Sequence, residues 1–195
     1  MTPTVNNIKI ILHNVLKWTH NRSSELCNYY QSENPDVILL NSTGKNDNER
    51  IKLFNYNTHQ RNTQSENNAG IAIAIRSNIQ YQLIDTFQDD ILAIKLETNK
   101  GPIIIATTYL PPRRYHIPEY EIRSLLQKQI PVYLMADLNA SHRITGYSYN
   151  NRRGESLADW VRRGICKYIG PDFNTLINVT GTGKPDVVLA NKKSY

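Results

Sequence analysis

Seven short runs of apolar, largely β-branched residues set the first limit on what this chain can become. They are IKIILH (8–13), DVILLN (36–41), GIAIAIR (70–76), ILAIKLE (91–97), PIIIATTY (102–109), PVYLMAD (131–137) and DVVLA (186–190). Each has the length of a strand and is too short for an ordinary helix. In 91–97, Leu92, Ile94 and Leu96 point one way, while Ile91, Ala93, Lys95 and Glu97 point the other, so this strand has a wetter face. Asn99-Lys100-Gly101 reads as a short hairpin connection to the next run. IIIA and VYLMA alternate less and read as buried on both faces.

Helical signals are fewer. Ser23 or Ser24 is placed to cap a helix running to about residue 33. Pro118 suits the first turn of a helix that carries Ile122, Leu125 and Leu126. Leu157, Trp160, Val161 and Ile165 recur at helical spacing, with Gly164 near the end. Residues 42–69 are polar and Asn-rich, hence loop with one weak strand near 53–58. Strands joined by hairpins and a few helices imply an α/β chain. The expected architecture is two mixed β-sheets packed face to face with helices outside, a four-layer α/β sandwich, although the pattern by itself does not set the number of layers.

The 195 residues suit a six-residue N-terminal tail followed by one domain over 7–195. No apolar run approaches the ~20 residues needed to cross a bilayer, and no membrane partner is expected. The start, MTPTVNNIKI, lacks the basic-then-apolar pattern of a secretory signal. Two distant cysteines, Cys27 and Cys166, fit reduced thiols better than a disulfide framework or zinc site.

Net charge is +6, and its placement matters more than its size. Residues 1–112 hold ten Lys+Arg and ten Asp+Glu, whereas residues 113–195 hold thirteen and seven. The excess sits in pairs such as Arg113-Arg114, Arg152-Arg153, Arg162-Arg163 and Lys192-Lys193. One-sided basic charge suits a polyanion partner, and equally a solvated basic surface.

Polar residues cluster at strand ends. PVYLMAD runs directly into Asp137-Leu138-Asn139. Residues two apart on a strand share a face, so Asp137 and Asn139 project together. An aspartate can move a proton or hold a metal, and an asparagine amide can donate to a phosphate oxygen as charge builds. The same pair could simply form an Asx-turn. Asn14 ends the first run, Tyr109 ends TTY, and Asp186 opens DVVLA. Taken together they suit metal-assisted phosphodiester hydrolysis, which needs a hard cation on oxygen ligands, a group that activates water, and donors around the phosphate.

IKIILHNV, PDVILLN, AGIAIAIRSNI, ATTYLPPRR, PVYLMADLNASH and GKPDVVLANK occur in the order seen in the endonuclease/exonuclease/phosphatase superfamily. The chain resembles the apurinic-like endonuclease domain of invertebrate non-LTR retrotransposons over residues 7 to 193. This resemblance implies a four-layer sandwich and a Mg²⁺- or Mn²⁺-dependent nick in DNA that primes reverse transcription. It also implies action in the nucleus and a reverse transcriptase domain downstream. Residue by residue, Asn14 matches the metal-side asparagine, Tyr109 the tyrosine facing the scissile phosphate, and Asp137 and Asn139 the Asp-x-Asn pair. Thr175, in FNTL, matches a DNA-side threonine, and Asp186 matches the aspartate that orients a catalytic histidine.

Two departures stand out. Where the family carries a metal-binding glutamate, in a pattern like LLxET, this chain reads LLNST and places Ser42. The family's closing Ser-Asp-His is not matched: the sequence stops at Tyr195 and its last histidine is His142, so a domain truncated at its C-terminal strands is expected. These departures open a second reading, a nucleic-acid-binding relic without turnover. A third reading keeps the chemistry on a small phosphomonoester or inositol phosphate.

His13 adjoins Asn14 but points the opposite way, which suits a core or supporting role. His142 is placed to contact DNA or to replace a missing base. Arg113, Arg114, Arg152 and Arg153 are candidates to grip phosphates. GTGK (181–184) lacks the spacing of a triphosphate-binding loop.

Overall fold

The computed structural model describes residues 7–45, 48–62, 69–86, 90–112, 117–170, 176–178, 181–183 and 186–194. All seven runs form strands: β1 (Ile10–Asn14), β2 (Val37–Asn41), β4 (Ile71–Arg76), β6 (Ile91–Thr98), β7 (Gly101–Tyr109), β8 (Val132–Asp137) and β12 (Asp186–Ala190). Five more join them: β3 (Tyr56–Arg61), β5 (Tyr81–Ile84), β9 (Lys167–Ile169), β10 (Leu176–Asn178) and β11 (Gly181–Gly183). The helices are α1 (His20–Glu33), α2 (Glu119–Leu126) and α3 (Arg152–Arg162).

One sheet has the order β1-β2-β4-β3 and the other β5-β6-β7-β8-β12-β9, while β10 and β11 pair by themselves. Both large sheets are mixed. β1–β2 and β7–β8 are parallel, and all other neighbours are antiparallel. A parallel pair needs a crossover, and α1 and α2 supply the two required here.

Alternation along the strands builds the layers. Val37, Leu39, Ile71, Ile73 and Ile75 of the first sheet meet Leu92, Ile94, Leu96 and Ile105 of the second in a shared core. The intervening Ile38, Leu40, Ala72 and Ala74 face the other way, onto Tyr30 of α1. On the second sheet, Ala93, Ile104, Ala106, Val132, Leu134 and Leu189 turn outward onto Ile122 and Leu125 of α2 and Leu157 and Trp160 of α3. Helix, sheet, sheet, helix follows, the four layers expected.

Three local expectations shift. Helix α1 begins before Ser23: Thr19 is its cap, its Oγ1 accepting from the Arg22 N–H at 3.4 Å, because buried Trp18 fixes the chain one residue earlier. The weak strand near 53–58 forms later, as β3, since Leu53 to Tyr56 make a turn with Asn55 at φ 66°. The wetter face of β6 is wet only at Lys95 and Glu97. Ile91 and Ala93 are buried with α2 residues in the outer core.

Candidate active site

The polar strand ends converge because strand period is two and the registers align. On β1, Ile10 and Leu12 pack into the inter-sheet core, so Asn14 ends on that face. Asn41 does the same on β2 after Val37 and Leu39, and its pairing partner is Asn14. On the facing sheet, Tyr109 ends β7 two residues beyond Thr107, and Asp137 ends β8 two beyond Met135. Tyr109 is paired with Asp137 across β7–β8, and Asp137 with Asp186 across β8–β12. Three candidates therefore stand side by side on one sheet, with Asn14 and Asn41 opposite.

Hydrogen bonds join the two sides. The Asn14 amide donates to Asp137 Oδ2 at 2.7 Å, directly across the inter-sheet gap. The Asn139 N–H donates to Asp137 Oδ1 at 3.0 Å, closing an Asx-type turn with Asn139 at φ 45°. Both carboxylate oxygens are thus held. The Asn139 amide donates to the Leu110 carbonyl at 3.1 Å, across to the loop that leaves Tyr109. Asn41 bridges the sheets lower down, its amide donating to Thr107 Oγ1 at 3.0 Å.

Asp137 is 3% exposed. Burial first, and then the Asp186 carboxylate, push its pKa up to about 6, against the pull of Asn139, Asn14 and Arg153. A carboxyl group near 6 exchanges protons readily at neutral pH, which is what a general acid or base requires.

The other predicted residues divide. Ser42 follows Asn41 at the rim, with left-handed backbone (φ 58°), and is buried. Arg113, Arg114 and Thr175 lie outside the described residues. Arg152 is exposed at the start of α3, on the surface. Arg153 overturns its expectation: it is buried, and its guanidinium is committed to backbone carbonyls, not turned to solvent for a phosphate. His142 caps a short 3-10 turn, its Nδ1 accepting from the Ile144 N–H at 3.1 Å, with Nε2 3.7 Å from Glu155. His13 turns away from the rim, as expected, with Nδ1 3.0 Å from the Tyr30 hydroxyl on α1.

Three contributors escape a reading of the sequence. Asn41 looks like an ordinary strand terminator. Asn151 looks like a surface residue, yet its amide donates to the Asn139 carbonyl at 2.8 Å. Tyr147 sits in a polar loop but is buried, and its hydroxyl is pushed up to about 12, chiefly by burial and further by Tyr149, Asp137 and Asp186. That places it within electrostatic reach of both acids. Tyr149 stacks edge-on against it at 5.5 Å and remains exposed.

The donor set suits a hard cation. Two carboxylates, the Asn14 amide oxygen and the Ser42 hydroxyl are all oxygen ligands, the kind that Mg²⁺ and Mn²⁺ take. Burial, and then the Asp186 carboxylate, disfavour the charged form of Asp137, and a cation beside it would favour that form. Among the described residues no three or more His, Cys, Asp or Glu cluster to hold a metal. Mg²⁺ sites that rely on one or two carboxylates plus substrate phosphates are of this sparse kind.

Two mixed sheets packed face to face, with their polar strand ends gathered on one rim, define a class of α/β sandwich. The sequence matches the Endonuclease/Exonuclease/phosphatase family over residues 11–193, and the chain belongs to it. It is 31% identical over 147 residues to the RNA-directed DNA polymerase from mobile element jockey of Drosophila funebris. It is 33% identical over 132 residues to the probable RNA-directed DNA polymerase from transposon X-element of Drosophila melanogaster. Those matches cover 73% and 65% of this chain but only 16% and 14% of the two proteins. Among solved structures, the endonuclease domain of TRAS1, a telomere-specific non-LTR retrotransposon, superposes with a TM-score of 0.74 at 15% identity, covering 95% of this chain and 85% of that one. The AP endonuclease of Leishmania major gives 0.73 at 14% identity, covering 95% and 79%. These two likenesses establish the fold.

Proposed function

We propose that this chain is the DNA-nicking endonuclease domain of a non-LTR retrotransposon, a metal-dependent phosphodiester hydrolase. The carrying observation is the meeting of Tyr109, Asp137 and Asp186 from one sheet with Asn14 from the other. The family match and the names of the jockey and X-element proteins support the mobile-element setting. In that setting a reverse transcriptase domain follows in the parent protein, and the nick is made in the nucleus.

The residues divide the work. Asp137, near-neutral in acidity and held on both oxygens, takes a proton from the attacking water or gives one to the leaving oxygen. The Asn139 amide, beside Asp137, donates to a phosphate oxygen as charge develops. Tyr109 presents its hydroxyphenyl group to the scissile phosphate from the neighbouring strand. Asn14 and Ser42 are the neutral oxygens that would hold Mg²⁺ or Mn²⁺, and Asp186 adds negative field. The bound ion would supply charge stabilisation at a phosphate oxygen. Arg152, exposed at the start of α3, contacts the DNA backbone. Arg113, Arg114 and Thr175 remain candidates for the same role.

The test is nicking of supercoiled plasmid with Mg²⁺, with EDTA and Asp137→Ala as controls. Nicking that depends on both supports the reading, and equal activity from Asp137→Ala rejects it. One observation favours a second reading, DNA binding without turnover: Ser42 brings no carboxylate to the metal side. Retained DNA affinity with no nicking under any divalent cation would select it.

A further inference from the structure

The basic pair that reads as a DNA contact contains an internal clamp. Arg153 is 6% exposed. Its Nη1 donates to the carbonyls of Leu110 at 3.0 Å and Leu138 at 2.7 Å. Its Nη2 donates to those of Pro111 at 2.9 Å and Pro112 at 2.7 Å. Leu110 to Pro112 leave β7 just after Tyr109, and Leu138 leaves β8 between Asp137 and Asn139. One guanidinium, a rigid planar set of five donors, therefore spans the two loops that carry the candidate catalytic groups.

Asn151 completes the grip. Its Oδ1 accepts from the Ser141 N–H at 3.1 Å and the Gly154 N–H at 2.8 Å, while its Nδ2 donates to the Asn139 carbonyl at 2.8 Å. Its own N–H donates to the Ser141 carbonyl at 2.8 Å. It thus caps α3 and pins the loop after β8 with the same side chain. Gly154 makes the approach possible: a Cβ there would lie 1.9 Å from the Ser141 carbonyl oxygen. That neighbour is backbone and cannot swing aside.

We propose that Asn151-Arg152-Arg153-Gly154 is a positioning motif, in which Asn151 and Arg153 hold the Tyr109 and Asp137-Asn139 loops at a fixed separation and Gly154 lets α3 dock against them. The claim rests on the endonuclease reading for its catalytic consequence, not for its structural one. The Leu110 carbonyl shows the consequence. It accepts from both Arg153 and the Asn139 amide. A carbonyl has two lone pairs, so Arg153 keeps Leu110 satisfied when the Asn139 amide turns to a phosphate. Without Arg153, releasing Asn139 strands a buried acceptor, and the amide stays where it is.

The experiment uses Arg153→Lys, which keeps the charge and loses the planar fork, and Asn151→Asp, which keeps the acceptor and loses the donor to Asn139. Leu157→Ala is the control, a core residue of the same helix that shares the apolar cluster of Leu110 and Leu138 but whose side chain can hydrogen-bond to neither loop. Backbone amide exchange is followed at residues 110, 139 and 141, alongside melting temperature and nicking at saturating DNA. The expected result for Arg153→Lys is about tenfold faster exchange at these amides than in Leu157→Ala of matched stability. The kcat should fall about 10²-fold, with KM changed much less. Asn151→Asp should speed exchange at 139, where the donor is lost, and leave 110 and 141 near the control, because the acceptor for the Ser141 N–H is kept. Exchange no faster than in the control, or a kcat loss that tracks melting temperature alike in all variants, overturns the proposal. If the unmodified protein does not nick, the functional reading fails and the exchange data alone decide the clamp.

Discussion

The two walls of the site, one from each sheet, are built by the same device, an inward-facing polar residue at the end of each strand, but they are not chemically alike. The wall on β7, β8 and β12 carries Tyr109, Asp137 and Asp186, and its loops are tied by Asn151 and Arg153. The wall on β1 and β2 carries Asn14 and Asn41, with Ser42 next in the chain, all neutral. Charge and protons belong to one sheet, and dipoles to the other. The Asn14–Asp137 bond at 2.7 Å is where the two meet. On the proposed reading, a site divided in this way keeps its shape when a neutral residue is lost, whereas loss of an acid removes the proton chemistry.

Asp137→Asn should therefore give the largest effect of any single change at the rim. Nicking is expected to fall by about 10²–10⁴-fold or more, since proton transfer is lost while the shape stays. A plasmid-relaxation time course measures it. A residual rate within a few-fold of the unmodified protein would place the proton chemistry on some other group and dissolve the contrast between the walls.

Ser42→Glu probes the neutral wall from the other direction. A carboxylate at the end of β2 adds a hard ligand where the described residues offer only neutral oxygens. Half-maximal Mg²⁺ for nicking, or for Mg²⁺-dependent melting, should fall by about tenfold, in line with the weight of one ligand. The same change should lower stability in EDTA, because a third acid joins Asp137 and Asp186 without a cation. An unaltered Mg²⁺ requirement would mean that position 42 does not face the ion.

How much of this contrast a sequence reveals depends on the range of the forces that set it. Asp137, Tyr109 and Asp186 are legible because their placement is local: an apolar run of strand length ends in a polar residue, and the period of two fixes its side. Asn41 obeys the same rule and is overlooked only because asparagine commonly ends strands as a turn former. Arg153 is misread for a different reason. Whether an arginine reaches water or buried carbonyls depends on Leu110, Pro111 and Pro112, some forty residues earlier in the chain, and nothing in an Arg-Arg pair signals that appointment. β5 and β9 are short and have exposed positions, so their existence rests on sheet edges already formed by β6 and β12. The layer count was legible only as a preference for packed sheets; the opposing faces of β2 and β4, one row on the second sheet and one on α1, decide it.

Stability against pH reads the charged wall directly. The Asp137 carboxyl releases its proton near 6 in the folded protein and near 3.8, its ordinary value, when unfolded. Between those values the folded state holds more protons, so stability from this group is full below about pH 4 and is lost as pH rises to about 6. The loss at pH 7 in metal-free buffer is on the order of 3 kcal/mol. Asparagine at 137 has no such titration but keeps only one acceptor oxygen for the two donors, Asn14 and Asn139. Its curve should lie at or below the unmodified protein near pH 4 and cross above it by pH 7 in EDTA. Mg²⁺ should then restore the unmodified protein and leave the variant unmoved. Denaturant melts at several pH values reveal the crossing, and parallel curves would mean that Asp137 is solvated and ordinary.

The smallest effect is expected at Arg152, and it separates surface charge from internal clamp. Arg152 is exposed while its neighbour Arg153 is buried, so two identical side chains one residue apart should answer opposite assays. If Arg152 pairs with a phosphate, Arg152→Ala weakens DNA binding uniformly across sequences and lowers the salt slope by about one. Folding is left nearly untouched, since exposed substitutions usually stay within about 0.5 kcal/mol. Arg153→Ala should show the reverse, a large stability loss as the Leu138, Pro111 and Pro112 carbonyls lose their donor, and no change in the salt slope of whatever binding survives. A fluorescence-anisotropy titration at several salt concentrations gives the slope for each. A shallower slope for Arg153→Lys, which keeps the charge, would mean that the guanidinium leaves its carbonyls to meet DNA, and the clamp and the contact would then be one residue.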